Sequence, residues 1–150
     1  MKPVVVNRKA KFDYFISERV EAGISLSGHE VKSIREGRIN LKESFVRIVK
    51  GEAFLIHCHI SPYSRIEGHL DYDPRRSRKL LLKKSEIGYL YGKSSQKGHT
   101  ILPLSVYFKK GLVKMEIGVG KGKKQVDKRE TIKRRIHDRE SKAAIKRMTR

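Results

Sequence analysis

Apolar residues fall at every second position in two neighbouring segments of the C-terminal half, and this pattern constrains the fold most. The alternating positions are Leu102, Leu104, Val106 and Phe108 in the first segment, and Val113, Met115, Ile117 and Val119 in the second. Period two is typical of half-buried strands, and Lys109-Lys110-Gly111 between the segments favours a tight turn. The segments therefore predict an antiparallel hairpin, in which Pro103 indicates an edge or a bulge.

A second hairpin is predicted around residues 50–52, between the apolar segments 45–49 and 53–60. Alternation in the second of these segments places four apolar residues on one face, which makes the cysteine a core residue: Phe54, Ile56, Cys58 and Ile60. His57 and His59 share the opposite face, but two histidines without a third ligand nearby are weak evidence for a metal site. We interpret them as surface or packing residues and expect no metal.

The N-terminal segment combines a strand pattern with a helix start signal. Phe12, Tyr14 and Ile16 alternate, which predicts a strand that continues irregularly to residue 26 with Gly23 as a bend or bulge. Ser27 and Glu30 then have the spacing of a capping box, so we expect a helix over residues 28–36 that ends at Gly37.

Another helix is predicted over residues 84–95, with Ile87, Leu90 and Tyr91 on its apolar side and Gly98 beyond its end. The predicted elements amount to about six strands and two short helices, which indicates a mainly β fold. We expect an antiparallel β-barrel of the oligonucleotide-binding type, with short flanking helices and a basic C-terminal tail.

The charge of the chain identifies the chemistry of its partner. There are 36 Lys and Arg against 16 Asp and Glu, a formal net charge of +20. This excess favours a polyanion, and RNA or DNA is the first interpretation. Binding to a membrane surface would need an amphipathic helix with a wide apolar face or an acyl chain, and neither is visible. A heat-stable protein rich in ion pairs is another alternative, but so uneven a charge argues against it.

The charge is concentrated in residues 121–150, which contain thirteen Lys or Arg, four Asp or Glu and no aromatic residue. Such a segment cannot bury enough apolar surface to offset the entropy of ordering it. We therefore predict an RNA-binding β-barrel domain at residues 1–120 and a basic tail at 121–150 that is disordered when free. Ile132 and Ile136 lie four residues apart, a stripe too thin for a stable free helix but sufficient for one that folds on contact with a partner.

Residues 61–79 form a long irregular connection, and loops of this length are commonly functional or mobile. Four cations stand within its last five residues: Arg75, Arg76, Arg78 and Lys79. The run is either a solvated surface or a set of contacts with a phosphate backbone. Three leucines follow, and they cannot all point inward from one regular element. We expect Leu81 to be exposed and to pack against a base, with an ordinary core position as the alternative.

The sequence lacks the common catalytic motifs. It has no phosphate-binding Gly-x-x-x-x-Gly-Lys-Ser/Thr loop, no Gly-x-Ser-x-Gly, no His-Glu-x-x-His and no carboxylate cluster able to hold magnesium. We therefore expect a protein without enzymatic activity and without a cofactor. A single cysteine excludes an intramolecular disulfide. The first residues do not form a signal peptide and no apolar run reaches membrane-spanning length, so we expect a cytoplasmic protein, and we expect it to be a monomer.

Several segments, taken in order along the chain, carry a resemblance to a known family. They are Asn7-Arg8-Lys9-Ala10, Glu21-Ala22-Gly23-Ile24, Gly28-His29-Glu30-Val31-Lys32-Ser33, residues 73–82 with the run Arg75-Arg76-Ser77-Arg78-Lys79, Pro103-Leu104-Ser105-Val106-Tyr107-Phe108, and Gly122-Lys123-Lys124 with Asp127-Lys128-Arg129. This ordered set resembles the small protein B family, the bacterial SsrA-binding proteins. No single segment is specific, but together they span almost the whole chain.

The resemblance implies an oligonucleotide-binding-like barrel that binds the tRNA-like domain of transfer-messenger RNA (SsrA RNA) and delivers this RNA to stalled ribosomes for trans-translation. The RNA-binding positions that it implies on the barrel are Asn7, Glu21 and Leu81, with backbone contacts from Lys9, Arg75, Arg78 and Lys79. The ribosome-binding positions that it implies in the tail, for the decoding centre of the small subunit with its 16S rRNA and for the empty messenger channel, are Lys123, Lys124, Asp127, Lys128, Arg129, Ile132 and Ile136. Val126 departs from some family members, which have an aromatic residue or histidine at this position.

Two other functions stay open at the level of the sequence. A general RNA-binding or ribosomal protein would account for the charge and the barrel, but it would leave the ordered motifs unexplained. A nuclease would require metal-binding carboxylates, and the acidic residues are scattered singly among cations.

Overall fold

The computed structural model describes residues 2–65, 71–124, 128–129 and 132–136. Within these ranges the elements are, in chain order, β1 (Val5–Val6), α1 (Arg8–Asp13), β2 (Tyr14–Ile24), α2 (Gly28–Arg35), β3 (Ile39–Asn40), β4 (Phe45–Val49), β5 (Glu52–Ile56), β6 (His59–Ile60), β7 (Arg78–Leu81), α3 (Lys84–Ser94), β8 (His99–Lys109) and β9 (Leu112–Gly122).

Six antiparallel strands close into a ring in the order β8, β4, β5, β7, β2 and β9, because β9 pairs again with β8. The short strand β1 pairs with β8, and β3 and β6 form a separate small sheet. This closed ring, with its short flanking helices, confirms the prediction of a mainly β barrel of the oligonucleotide-binding type.

Both predicted hairpins are present. β4 and β5 are joined at Lys50 and Gly51, and β8 and β9 at Lys110 and Gly111. All four turn residues have positive φ, as type I′ turns require: 50° and 75° in the first turn, and 52° and 78° in the second. The alternating apolar residues of β9 are buried inside the barrel: Val113, Met115, Ile117 and Val119.

The alternation predicted for β8 is interrupted. Its register shifts between Pro103 and Ser105, which confirms a bulge near the proline. Ile101 and Val106 belong to the main core, whereas Leu102 and Leu104 are buried against Gly120 and Gly118 of β9. A Cβ at residue 120 would lie 2.8 Å from Cδ1 of Leu102, and one at residue 118 would lie 3.0 Å from Cδ1 of Leu104. The prediction that Leu102, Leu104, Val106 and Phe108 share one face of β8 was therefore wrong, because the bulge puts Val106 on the other face from the two leucines.

The face predicted for residues 53–60 was also wrong, although Cys58 is buried as expected. β5 ends at Ile56, and His57 has a φ of 60°. This kink reverses the alternation, so the buried residues are Ala53 and Leu55 before it and Cys58 and Ile60 after it.

The predicted strand at residue 12 is a helix. The Asn7 side chain accepts a hydrogen bond from the backbone N–H of Ala10, at 3.1 Å, and so caps α1. Strand β2 begins only at Tyr14. Its irregularity lies between Ser17 and Val20, where Glu18 has a φ of 53°, rather than at Gly23.

The two predicted helices are confirmed, with one difference. α2 begins at the predicted capping box, and Gly37 follows its end with a φ of 75°. In α3, Leu90 is buried as expected, but Tyr91 is exposed rather than part of the apolar side.

The predicted domain boundary at residue 120 stays a prediction, and β9 continues to Gly122. Of the predicted tail, residues 128–129 and 132–136 have helical conformation, and Asp127 and Val126 lie outside the described residues. In the described part of the chain, no helix is long and apolar enough to cross a membrane.

Candidate nucleic-acid interface

A row of paired residues crosses four strands on the outside of the barrel. Leu81 of β7 is paired with Gly23 of β2, Gly23 with Lys114 of β9, and Lys114 with Tyr107 of β8. Glu21 lies two residues before Gly23 and accepts a hydrogen bond from the Tyr107 hydroxyl. Because directly paired residues in a sheet share a face, this surface, which we call the outer face, holds an apolar side chain, a carboxylate and cations together.

The neighbours of the Glu21 carboxylate favour its ionised form. The hydrogen bond from Tyr107 lowers the pKa of Glu21, and Lys109 lowers it further, with its Nζ 3.3 Å from the carboxylate. Burial, together with this bond, raises the pKa of the Tyr107 hydroxyl, which stays a donor. Glu21 therefore presents an oriented acceptor in a protein of high positive charge.

A second carboxylate lies directly opposite, because Glu21 is paired with Glu116 of β9. Like charges in such a pair are unfavourable unless each is compensated. Arg19 donates to Glu116 at 2.9 Å, and Lys109 pairs with Glu21. The outer face thus carries two fixed acceptors among cations, a pattern that suits donors such as base amino groups and ribose hydroxyls.

Leu81 is 55% exposed, whereas its neighbour Leu80 is buried, which confirms that Leu81 is the exposed member of the triplet. The absence of a side chain at Gly23 brings Leu81 close to the sheet. A Cβ at residue 23 would lie 3.2 Å from Cβ of Leu81 and 3.6 Å from Nζ of Lys114. Leu81 therefore forms an apolar surface beside a cation, and this arrangement suits the face of a base.

Lys9 and Arg75 lie in a different part of the molecule. Lys9 forms an ion pair with Glu43, and this glutamate lines both the cavity beside α1 and the adjoining cleft that contains Arg75. The cleft has a volume of about 500 Å³ and its other lining residues are Asn40, Lys42, His57 and His59. The structure thus groups Lys9 with Arg75, and Glu21 with Leu81. Lys79 is exposed beside Leu81 and is 3.4 Å from Glu52.

The expected RNA-binding role of Asn7 stays a prediction, and the structure shows that its side chain is buried. Besides capping α1, its amide donates to the backbone oxygens of Pro103, at 2.9 Å, and Leu41, at 3.3 Å. These hydrogen bonds fasten α1 to β8.

Arg78, which we expected to contact the RNA backbone, is also buried. Its side chain is 0% exposed and its guanidinium donates to the Glu30 carboxylate, the Cys58 carbonyl, the Tyr72 hydroxyl and the Pro74 carbonyl. Strand alternation in β7 turns Arg78 inward and Lys79 outward. Arg78 is thus a structural cation.

Glu30 is the centre of this buried network, and sequence analysis assigned it only the capping role. Burial raises the pKa of Glu30, but hydrogen bonds from Arg76, the Ser27 backbone, Arg78 and Tyr72 outweigh it and lower the pKa from 4.5 to about 2. Tyr72 and Arg78 belong to the last part of the long connection at residues 61–79, so the network attaches the end of that connection to α2.

The described part of the tail lies against α1. The backbone N–H of Lys123 donates to the carbonyl of Asp13 at 2.8 Å, and Nζ of Lys128 is 3.3 Å from the Asp13 carboxylate. Arg135 lies over the ring of Phe12, with 5.5 Å from Cζ to the ring centroid. Lys124, Arg129, Ile132 and Ile136 are exposed.

Sequence analysis missed the other members of the outer face, Tyr107, Lys109 and Lys114. Alternation in the hairpin of β8 and β9 indicated that Tyr107 and Lys109 point away from the core, but not which residues they meet. Their contacts with Glu21 depend on how β2 pairs with β9, and that register includes a bulge. Among the described residues, no group of three or more His, Cys, Asp or Glu could hold a metal ion.

Comparison with known proteins gives matches along nearly the whole chain. SsrA-binding proteins of a Nitratiruptor species and of Wolinella succinogenes are each 54% identical to it, over 147 and 146 residues, which is 97% of this chain and 98% and 97% of theirs. That of Halalkalibacterium halodurans is 52% identical over 145 residues, 97% of this chain and 94% of its own.

The fold has a solved counterpart. A chain in the structure described as "tmRNA-SmpB: a journey to the center of the bacterial ribosome" superimposes with a TM-score of 0.70 and 46% identity, and the match covers 83% of this chain and 87% of that one. The family model for SmpB protein matches residues 4–147, which include the barrel, the outer face and most of the predicted tail. The chain therefore belongs to the SmpB protein family.

Proposed function

We propose that this chain binds the tRNA-like domain of transfer-messenger RNA and delivers the RNA to stalled ribosomes for trans-translation. The observation that carries the proposal is the match over 97% of the chain to proteins named SsrA-binding protein, at more than half identity. The chemistry of the outer face supports it, since a fixed acceptor and an exposed apolar residue lie among cations.

The outer face is suited to folded RNA rather than to phosphate alone. A carboxylate cannot attract a phosphate, so Glu21 is expected to accept hydrogen bonds from base amino groups or ribose hydroxyls. Leu81 packs against a base, and Lys79, Lys109 and Lys114 neutralise the nearby backbone. Specificity in this arrangement comes from the acceptor and the apolar contact, while the lysines supply affinity.

Lys9 and Arg75 contact a second stretch of the RNA backbone. The cleft that contains Arg75 is also lined by Lys42, and its carboxylate, Glu43, is already paired with Lys9. Phosphate contacts position an RNA without reading its sequence. Two separate contact areas would fix the orientation of a folded RNA on the barrel.

The tail contacts the ribosome at the decoding centre and in the empty messenger channel. The residues that make these contacts are Lys123, Lys124, Asp127, Lys128, Arg129, Ile132 and Ile136. Its described residues leave the barrel beside α1, and the cations Lys124 and Arg129 among them are exposed, which suits 16S rRNA. In this role the protein is a cytoplasmic adaptor, and it needs no catalytic group.

Competition between RNAs tests the proposal. Binding of the labelled tRNA-like domain to the full chain is measured in moderate salt, with unrelated tRNA and duplex RNA as competitors. We expect that neither displaces the tRNA-like domain at equal concentration, because the outer face recognises more than charge. Equal displacement would instead support a general RNA-binding protein.

The variant Glu21→Ala tests the role of the acceptor. Loss of hydrogen bonds to a charged group costs about 1.5–3 kcal/mol, or about 10- to 150-fold in Kd. Glu36→Ala is the matched control, because it makes the same change in net charge at an exposed position outside the interface. If Kd were set by net charge, both variants would bind more tightly than the wild type.

A chain that ends at Lys124 tests binding to the RNA and action on the ribosome separately. It retains the outer face and the cleft, so we expect its affinity for transfer-messenger RNA to remain within about twofold of wild type, since few phosphate contacts are lost. Tagging of nascent chains on stalled ribosomes is expected to be abolished. A large loss of RNA affinity would show that the tail clamps the RNA instead.

A further inference from the structure

A groove runs from the outer face along α3, and the proposed function does not use most of it. One basin, of about 580 Å³, lies between Leu81 and Ile87, and a second, of about 740 Å³, extends to Tyr91. The two basins share the lining residues Gly51, Glu52, Lys84 and Ile87, so they form one continuous channel that we call the α3 groove.

The polar lining of the α3 groove favours an anion. Its charged residues are the lysines Lys50, Lys79, Lys83 and Lys84 and the glutamates Glu52 and Glu86. Both glutamates are engaged: Glu52 lies 3.4 Å from Nζ of Lys79, and Glu86 accepts from the backbone N–H of Lys83 at 2.9 Å. Lys50 and Lys84 form no ion pair within the described residues, and they remain available to phosphate groups.

The far end of the groove has an exposed aromatic ring. Tyr91 is 58% exposed, and its ring makes no aromatic or cation contact within the described ranges. Tyr89 on the same helix is also exposed, but its hydroxyl donates to Glu18 and Lys93 lies over its ring at 5.6 Å. Tyr89 is therefore accounted for by its contacts, while Tyr91, together with Ile48 and Ile87, forms a flat apolar surface beside cations.

Gly88 keeps the middle of the groove open. It lines the second basin, and a Cβ at this position would meet nothing within 4 Å. Because that Cβ would meet no neighbour, packing inside the protein does not explain the glycine. Glycine is also less favourable within a helix than any residue except proline. Space at this position is what an occupant of the groove would require.

We propose that the α3 groove binds an unpaired segment of the RNA held at the outer face, with one base stacked on Tyr91 and the backbone on Lys50 and Lys84. This inference rests on the proposed function, because continuity with Leu81 and Lys79 is what makes RNA the occupant. Exposed aromatic rings between cations are typical of single-strand binding, since every base has a face that can stack.

The test compares tyrosine variants of the full chain in binding to the tRNA-like domain of transfer-messenger RNA. Tyr91→Leu is expected to raise Kd by about 5- to 150-fold, the loss that follows removal of one base–aromatic stack. Tyr91→Phe retains the ring and is expected to bind within about twofold of wild type. Tyr89→Leu is the matched control, with the same change on the same helix outside the groove, and is also expected to bind within about twofold of wild type.

Two further variants examine the groove itself. Gly88→Gln fills the open space with a better helix former, so Kd is expected to rise while Tm stays the same or increases. Lys84→Gln is expected to reduce the slope of log K against log salt by about 0.7, the value for one phosphate of a single strand.

Failure of this inference differs from failure of the proposed function. If Tyr91→Leu binds like the wild type while Leu81→Asp binds weakly, the groove does not hold RNA and the inference is overturned. If Tyr91→Leu binds RNA normally but reduces tagging on ribosomes, the groove contacts a protein and the inference is likewise overturned. Loss of discrimination against unrelated tRNA by the wild type would instead overturn the proposed function.

Discussion

Neutralising Glu30 should destabilise the barrel strongly and change how its stability depends on pH. In Glu30→Gln the buried guanidinium of Arg78 loses its carboxylate, and that of Arg76 loses its partner as well. Removing one partner from a buried ion pair costs about 3–5 kcal/mol, because the remaining charge stays buried. For a chain of this length, that corresponds to a fall in Tm of about 10 °C.

The pKa of Glu30 gives a separate value for the same interaction. A fall from 4.5 in the unfolded chain to about 2 in the folded chain corresponds, at about 1.36 kcal/mol per pH unit, to about 3 kcal/mol. Because the folded pKa is the lower one, this stabilisation is fully present above pH 4.5 and is lost as the pH falls towards 2. The free energy of unfolding of the wild type should therefore approach that of Glu30→Gln across this interval.

Urea unfolding at several pH values between 7 and 2.5 measures the difference between the two proteins. The control is Glu52→Gln, which removes a half-exposed partner of Lys79 and is expected to cost less than about 1 kcal/mol at every pH. If the curves of wild type and Glu30→Gln ran parallel down to pH 2.5, the carboxylate would not be the group that the network stabilises.

Three other expectations concern the interior and the turns. Burial raises the pKa of the Cys58 thiol to about 12, so at pH 8 the thiolate is about one part in ten thousand, and a disulfide reagent should label it only after unfolding. Complete labelling of the native protein within the mixing time would contradict this. Gly111→Ala should cost about 1 kcal/mol in urea unfolding because the φ of residue 111 is 78°, whereas Gly28→Ala, at the start of α2, should be neutral. Equal effects would show that the turn conformation is not responsible. Gly120→Ala should cost about 1–3 kcal/mol because its Cβ would lie 2.8 Å from Leu102, and an unchanged midpoint would show that Leu102 can move aside.

The features that sequence analysis predicted correctly depend on local geometry. The hairpins follow from alternation and from glycine at the turns, and the start of α2 follows from the spacing of Ser27 and Glu30. One signal was present but missed: Asn7 precedes Arg8-Lys9-Ala10 as a helix N-cap residue, and it would have predicted α1.

The features that it predicted wrongly depend on single residues that reverse which side chains of a strand face the core. His57 reverses the faces of residues 53–60, and the bulge after Pro103 separates Leu102 from Val106. Alternation cannot reveal such a shift, because one inserted residue leaves the pattern on each side intact. For the same reason the exposure of Leu81 could be predicted from its neighbours, but the partners of Glu21, more than eighty positions away, could not.

The basic run at residues 75–79 shows why charge in a sequence overstates the cations available to RNA. Arg78 is buried on Glu30 and Arg76 is half-buried on the same carboxylate, which leaves Arg75 and Lys79 on the surface. A cation that is paired inside the protein releases no counterion when RNA binds, because its surroundings are the same in the free and the RNA-bound protein. Replacing Arg75 or Lys79 by glutamine should therefore reduce the slope of log K against log salt. The expected change is about 0.7 if the contacted RNA is single-stranded and about 0.9 if it is a duplex. Replacing Arg78 should act on stability instead, since Arg76 and Arg78 use their charge to attach the end of the long connection to α2, directly before the strand that carries Lys79 and Leu81.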